Sequence, residues 1–587
     1  MFMLYPNRDR SALKILRVLF ALIAFFPVAA LGDPLAPVSP YATALPVVAK
    51  HGMVVTQNAT ASRVGLDVLR LGGNAVDAAV AVGFALAVTL PRAGNIGGGG
   101  FMLVHRASDG RNAAIDYRET APAATTKDVF LNANGEADPF KSRFSGLAVG
   151  VPGTVAGLEL AWREYGSGRF TFAELVAPAI ALARQGLTVD PDLADSLQWA
   201  QPMIARHPSS ARIFLKPDGS VPAVGAHIAL DDLAATLETI AREGAAGFYE
   251  GPVARKIADA VQAAGGRMTT ADLANYRAVE RAPVSGTYRG HTVVSMPPPS
   301  SGGAHVIEIL NILEGFPLAE WGLNSAASIH AMAEAEKLAY ADREAWLGDP
   351  DFVKVPLKGL VSKPYADSLR AKISPDKARP AADIRPGEPQ RYESDQTTHF
   401  SIVDGEGNAV SNTYTLNFSY GSGLVADGAG VLLNNELDDF AAKPGAANAY
   451  GLMGGDANAP GPSKRPLSSM SPTLVLDGQG RVELVTGSPG GSRIITTVVQ
   501  IVSDVIDHAL NVAEAENAPR VHDQLWPDEV RIERGISPDT VKLLEAMGHK
   551  VVLGEAMGSA NTIARAPDGT LTGASDLRQR GTLAAGY

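Results

Sequence analysis

The chain has 587 residues, 51 Lys and Arg against 62 Asp and Glu, a formal charge of −11, 46% hydrophobic residues and no cysteine. That composition fits a soluble globular protein of several domains or one large layered fold, and it excludes disulfides, thiolate zinc centres and a cysteine nucleophile. An acidic chain without a Lys/Arg cluster also lacks the attraction for phosphate that nucleic-acid binding requires.

In chain order, the first segment reads as a leader. Arg8, Arg10, Lys14 and Arg17 form a positive stretch, residues 18–29 are mostly apolar, and Ala30-Leu31-Gly32 supplies small residues for cleavage. The apolar run falls short of the ~20 residues of a spanning helix, and Pro27 interrupts it. Residues 1–32 are therefore expected to be a signal peptide, directing the protein to the periplasm of a Gram-negative host or to secretion from another. No later segment is expected to cross a membrane.

Residues 53–56 read as a strand, 61–71 and 75–89 as helices separated by Gly72-Gly73-Asn74, and 101–105 and 113–117 as strands. Residues 325–346, rich in Ala and Glu, read as a helix stopped at Gly348-Asp349-Pro350. Short strands alternating with amphipathic helices favour layered α and β structure. The chain has 11 His, but no pair has HxH or HxxxH spacing, so no metal is expected; no Gly-Lys pair offers a nucleotide P-loop, and no cofactor is expected.

Residues 376–396 differ from their surroundings. Pro380, Pro386 and Pro389 stand there among charged residues with few large apolar side chains, which predicts an exposed tether. The tether gives way at Thr397-Thr398-His399 to a strand over 397–403, a turn at Asp404-Gly405-Glu406-Gly407-Asn408 and a returning strand over 409–416. A short loop centred near Glu406 sets Thr415 opposite Thr397 or Thr398.

A cut between Gln396 and Thr397 gives Thr397 a free α-amine beside its own hydroxyl. The hydroxyl needs an adjacent base to act as a nucleophile, and an α-amine of pKa ~7.7–8 supplies one at neutral pH. Taken alone, the threonine pair reads as two β-formers at a strand start.

A longer pattern distinguishes these readings. Thr397-Thr398-His399-x-Ser401, followed by Gly407-Asn408-x-Val410-Ser411-x-Thr413-x-Thr415-Leu416-Asn417 and Tyr420-Gly421, resembles the signature of the γ-glutamyltransferases. Asp116-Tyr117-Arg118-Glu119, residues 94–101, Asn434-Asn435-Glu436-Leu437-Asp438-Asp439-Phe440, 466–473 and 486–493 resemble further blocks of that family, in its order. The resemblance runs from about residue 49 to the C-terminus.

It implies an α+β, four-layer αββα sandwich of the N-terminal-nucleophile hydrolase type, cut by itself from one precursor. The large subunit is then 33–396 and the small catalytic subunit 397–587. It further implies that Thr415 hydrogen-bonds at the nucleophile and that Gly490 and Gly491 hold the oxyanion. Arg118, Ser468 and Ser469 would bind the donor's α-carboxylate, while Asn417, Glu436 and Asp439 would bind its α-ammonium. Some members carry Gln where this chain has Glu436. Residues 440–455 resemble the lid over the donor pocket, with Tyr450 as its wall. The implied donors are glutathione and other γ-glutamyl compounds, and the acceptors are water, amino acids or dipeptides.

Without the family context, Arg118 reads as a salt bridge to Asp116 or Glu119, residues 436–439 as a solvated acidic turn, and Gly487–Arg493 as a tight connection between a strand over 482–486 and an apolar helix over 494–510. The run Gly421-Ser422-Gly423-Leu424-Val425-Ala426 fits a dinucleotide fingerprint formally, but no good helix follows it. A related acylase for glutaryl side chains, or an uncleaved exported γ-glutamyl-binding protein, are the competing functions.

Overall fold

The computed structural model describes residues 44–389 and 400–587. The expected leader and Thr397 lie outside the described residues. Among the described residues no helix is long and apolar enough to cross a membrane.

Two seven-stranded sheets, antiparallel throughout, organise the fold. In the first, the strand order is Leu583–Gly586, Gly52–Thr56, Ser401–Asp404, Ala409–Thr415, Gly99–Arg106, Arg111–Tyr117 and Val279–Arg281. In the second it is Val47–Ala49, Leu571–Ser575, Asn561–Arg565, Val482–Thr486, Thr473–Leu476, His291–Ser295 and Val284–Tyr288. The two-residue period of a strand sends alternate side chains into different cores. Val54, Met102, Val104 and Ile402 join the core under the helices. Met53, Val55, Phe101, Leu103 and Val403 meet Val294, Leu474, Val485 and Ile563 between the sheets.

Helices Ala59–Arg70, Ala75–Thr89 and Thr154–Tyr165 cover the first sheet; Gly302–Leu313 and Val512–Asn517 lie on the second, with Arg493–Ile506 packed beside them. This is the four-layer αββα order that the resemblance implied. The helix Ala75–Thr89 begins where the sequence indicates, because Asn74 and Asp77 form a reciprocal capping box. It is apolar on nearly every face and buried almost throughout, as a helix enclosed by sheet and helices must be.

The hairpin Ser401–Asp404/Ala409–Thr415 has the register Ser401↔Ser411, Ile402↔Val410 and Val403↔Ala409. Asp404 closes its turn by accepting from the backbone N–H groups of Glu406 and Asn408. Thr415 ends the second strand, opposite Gly99 on the other side.

The tether departs from expectation over its described part. Residues 376–389 are docked: Ala378, Ala381 and Ile384 are buried, Ala378 N–H donates to Met547 O at 2.7 Å, and Gly387 N–H donates to Asp342 Oδ1 at 2.6 Å. Three small apolar contacts and a few backbone hydrogen bonds suffice to order a proline-rich segment that has no long apolar run. The formal dinucleotide run leads into the short strand Val425–Ala426, not a helix, so it lacks the helix N-terminus a pyrophosphate requires.

Candidate active site

A cleft of about 540 Å³ gathers Thr415, Asn417, Glu436, Asp439, Tyr450, Ser468, Ser469, Gly490 and Gly491 on its walls. Arg118 stands behind Glu436 and Asp439, fully buried. A second cavity, about 710 Å³, is larger but is lined by groups such as Ala87, Ile96, Phe214, Leu230 and Leu432, with none of the candidate residues. Chemistry rather than size selects the first.

Thr415 is brought to the cleft by the end of its strand. Asn95 Nδ2 donates to Thr415 O at 3.0 Å, and a Cβ on Gly98 would lie 2.0 Å from that same oxygen, so this close backbone approach requires glycine. Asn417 N–H donates to Thr415 Oγ1 at 2.8 Å. The Asn417 backbone turns left-handed at φ 73°, and its Nδ2 donates to Asn435 O at 3.0 Å.

Residues 436–439 form a 3-10 turn, but the expected solvated acidic turn is corrected: Glu436 and Asp438 are buried. Asn434 anchors the turn by accepting from Gly150 N–H and Glu436 N–H. Nor is Arg118 a surface salt bridge. Its Nη1 pairs with Glu436, its Nη2 with Asp439 Oδ2 at 2.7 Å, and Glu119 lies at 4.0 Å. Nε donates to Pro466 O at 3.1 Å.

Three carboxyl groups, Glu119 and Glu436 buried and Asp439 half-buried, thus surround one guanidinium. Burial opposes the Arg118 charge, but Glu436, Asp439 and Glu119 outweigh it and hold the pKa above the ordinary arginine value. Burial, against the opposing pull of Arg118, pushes Glu436 up to about 7. Burial likewise raises Asp439, and raises Glu119, where repulsion from Glu436 adds to it. Carboxyl groups outnumber cations in this lobe, so a further cation placed there would favour their ionised forms.

Ser468 and Ser469 are both buried. Ser468 O accepts from Ser301 N–H at 2.7 Å, and Ser469 Oγ accepts from Arg343 Nη2 at 3.0 Å. Opposite them, Gly490 and Gly491 precede the helix Arg493–Ile506. Their carbonyls accept from Arg493 and Ile494 N–H, whereas among the described residues their own N–H groups have no acceptor. Both have positive φ, 136° and 59°. A Cβ on Gly491 would lie 2.4 Å from Tyr450 Cδ1, so glycine lets the aromatic wall close on the donor pair. Unoccupied N–H groups ahead of a helix are suited to an anion.

Tyr450 crosses the cleft. Its hydroxyl donates to Asn417 O at 2.9 Å, its ring meets Phe418 edge-on at 6.0 Å, and its carbonyl accepts from Gln524 Nε2 at 3.1 Å. Asn448 Nδ2 donates to Asp439 Oδ1 at 3.1 Å, tying the loop to the carboxyl lobe.

Ten of the eleven predicted residues converge here; the eleventh, Thr397, lies outside the described residues. Arg343 was missed, because nothing marks one arginine on an Ala- and Glu-rich helix.

Among the described residues, His330, Glu334 and His549 offer ligand atoms within 4.8 Å of one another. His330 Nδ1 is hydrogen-bonded to His549 Nε2 at 2.7 Å, and Lys337 Nζ donates to Glu334 at 3.1 Å. These contacts pair the two facing ring nitrogens and engage one carboxylate oxygen of the buried cluster.

The family model described as gamma-glutamyltranspeptidase matches residues 61–586. The glutathione hydrolase proenzyme of Escherichia coli (strain K12) is 56% identical over 543 residues, covering 92% of this chain and 93% of that protein. The glutathione hydrolase proenzyme of Pseudomonas sp. (strain A14) is 47% identical over 556 residues, covering 93% and 96%. Among solved structures, cephalosporin acylase from Bacillus halodurans aligns with a TM-score of 0.82 at 30% identity, covering 95% of this chain and 99% of that one. The chain belongs to the γ-glutamyltranspeptidase family.

Proposed function

We propose that the protein is a γ-glutamyltransferase and glutathione hydrolase, exported by a signal peptide over 1–32 and made as a precursor that cuts itself before Thr397. The large subunit, 33–396, and the small subunit, 397–587, then form the active heterodimer. The sheet order supports their staying together, because Gly52–Thr56 pairs with Ser401–Asp404 on one side and Leu583–Gly586 on the other. The register Ser401↔Ser411 supports the reading that Thr415 serves the nucleophile, because it runs the strand Ala409–Thr415 past the start of Ser401–Asp404.

Thr397 Oγ bonds to the γ-carbonyl carbon of the donor while its proton passes to the threonine's own α-amine. The electron pair displaced onto the carbonyl oxygen is held by the N–H groups of Gly490 and Gly491. Collapse breaks the C–N bond, and the leaving amine, cysteinylglycine when glutathione is the donor, takes the proton. Water, or the amine of an amino acid or dipeptide, then attacks the γ-glutamyl ester and restores Thr397.

One observation carries this reading: the cleft gathers the Gly490 and Gly491 N–H groups, which have no acceptor among the described residues, and a lobe in which three carboxyl groups share one guanidinium. A γ-glutamyl group presents a carbonyl to the first and an ammonium to the second. A glutaryl side chain has no ammonium, and Glu436 and Asp439 then lack their partner, which disfavours the acylase. On a denaturing gel the purified protein should give two fragments, the smaller starting at Thr397, and should release glutamate from glutathione. A single full-length band that binds γ-glutamyl compounds without turnover would return the binding-protein reading.

Donor affinity should depend on pH through Glu436. Burial keeps this carboxyl protonated below about 7, whereas an ammonium selects the carboxylate, so binding below that pH must expel a proton. The KM for a γ-glutamyl anilide is expected to fall as pH rises through about 7, and Glu436→Gln should flatten the profile. An equal slope in both proteins would remove Glu436 as its source.

A further inference from the structure

Four arginines are buried among the described residues: Arg118, Arg343, Arg465 and Arg520. Three of them face carboxylates, Arg118 facing Asp439 at 2.7 Å, Arg465 facing Asp116 at 3.5 Å and Arg520 facing Asp576 at 2.7 Å. Arg343, on the helix Ala326–Trp346, makes no direct ion pair with a carboxylate among the described residues; Asp439 attracts it only at longer range. Its hydrogen bonds end on hydroxyls, Nε donating to Ser301 Oγ at 2.8 Å and Nη2 to Ser469 Oγ at 3.0 Å. A buried guanidinium left to hydroxyls alone is costly unless an anion joins it.

These contacts also set the polarity of the serines. A guanidinium only donates, so both hydroxyls must accept from it and turn their own protons elsewhere. Ser301 Oγ donates to Ser468 O at 2.9 Å. Ser469 lines the cleft, and among the described residues its proton has no acceptor. Ser468 Oγ accepts from Met470 N–H at 3.2 Å, and among the described residues its proton has no acceptor either. The wall therefore presents two oriented O–H donors, and behind one of them stands a guanidinium that no carboxylate among the described residues contacts directly. Arg118 cannot supply that charge alone, because Glu436 and Asp439 already share it.

We propose that Arg343 is a positioning residue of the donor's carboxylate subsite, holding Ser469 as a proton donor and adding positive charge to that of Arg118, which Glu436 and Asp439 share. This rests on the γ-glutamyl reading above and assigns the two ends of the donor to different groups: the carboxylate to Arg118 and Arg343 with Ser468 and Ser469, the ammonium to the Glu436–Asp439 lobe.

The test uses mature enzyme, a γ-glutamyl anilide, and two competitive inhibitors that each keep one end of the donor. Glutaramate has the carboxylate without the ammonium; 4-aminobutanamide has the ammonium without the carboxylate. Arg343→Gln should raise the anilide KM and the glutaramate Ki by about ten- to hundredfold, the range of a hydrogen bond to a charged group. The kcat and the Ki of 4-aminobutanamide should stay within about threefold, less than the loss of one such bond. Arg343→Lys, which keeps the charge, should recover part of the glutaramate affinity, and Arg343→Gln should add little once Ser469→Ala is present. Equal shifts for both inhibitors, in the Gln variant or in the Lys variant if the former does not mature, would overturn the assignment; so would full additivity with Ser469→Ala. Failure of the wild-type protein to cleave the anilide would instead sink the γ-glutamyl reading, a separate result.

Discussion

Thr397→Ala is expected to leave the chain in one piece and without turnover. The same hydroxyl is asked to act twice: once on the backbone carbonyl of Gln396, to cut the precursor, and once on the γ-carbonyl of the donor. Alanine removes both reactions, and no other group on the cleft wall replaces it, because Thr415 Oγ1 is already engaged as an acceptor from Asn417 N–H at 2.8 Å and has no α-amine beside it. Loss of an activated nucleophile costs on the order of 10⁶-fold in kcat, even with the oxyanion donors intact. Denaturing electrophoresis with intact mass, alongside an anilide assay, reads both effects. Fragments of normal size from this variant would refute the assignment of Thr397.

The two losses separate chemistry from folding. The strands that flank the junction pair on either side with partners from the other fragment: Ala409–Thr415 with Gly99–Arg106, and Ser401–Asp404 with Gly52–Thr56. Those ladders do not depend on the cut, so the uncut variant should fold with the cooperativity of the parent and differ only in its covalent continuity.

Local order was legible wherever a short-range signal exists. Asn74 and Asp77 mark the start of the helix Ala75–Thr89, residues 482–486 form the expected strand, and the Asp404–Asn408 turn sets the register of its hairpin. Strand order was not legible, because pairs such as Val54↔Ile402 and Val54↔Ala585 join residues hundreds of positions apart with no local mark. The composition of the site was legible through motifs, but its charge balance was not. Glu436 and Asp439 look like solvent-facing acids until tertiary packing buries Glu436 and sets both against Arg118. Arg343 was hidden for a related reason: its helix is buried over most of its length, so no amphipathic pattern singles out the face toward Ser469. The docking of residues 376–389 depends on Met547 and Asp342, partners far away along the chain.

That charge balance makes Asp439→Asn the most informative change in the binding lobe. Asp439 touches Arg118 Nη2 through Oδ2 at 2.7 Å and Asn448 Nδ2 through Oδ1 at 3.1 Å, with its side chain 14% exposed at the cleft. An amide of the same shape keeps an oxygen for Arg118, and Glu436 and Glu119 still compensate that guanidinium, so the fold should persist. What disappears is one unit of negative charge facing the donor's ammonium. A hydrogen bond to a charged group is worth about 1.5–3 kcal/mol, so kcat/KM for a γ-glutamyl anilide should fall by about ten- to hundredfold. A glutaryl anilide has no ammonium to lose, and an Arg118 with one competitor fewer attracts its carboxylate more strongly, so its kcat/KM should hold or rise. The ratio of the two substrates, measured on one preparation, is therefore the quantity that moves. Equal losses would mean that Asp439 holds the lobe together without contacting the ammonium, and the cation binding would then have to rest on Glu436 and Asn417 alone.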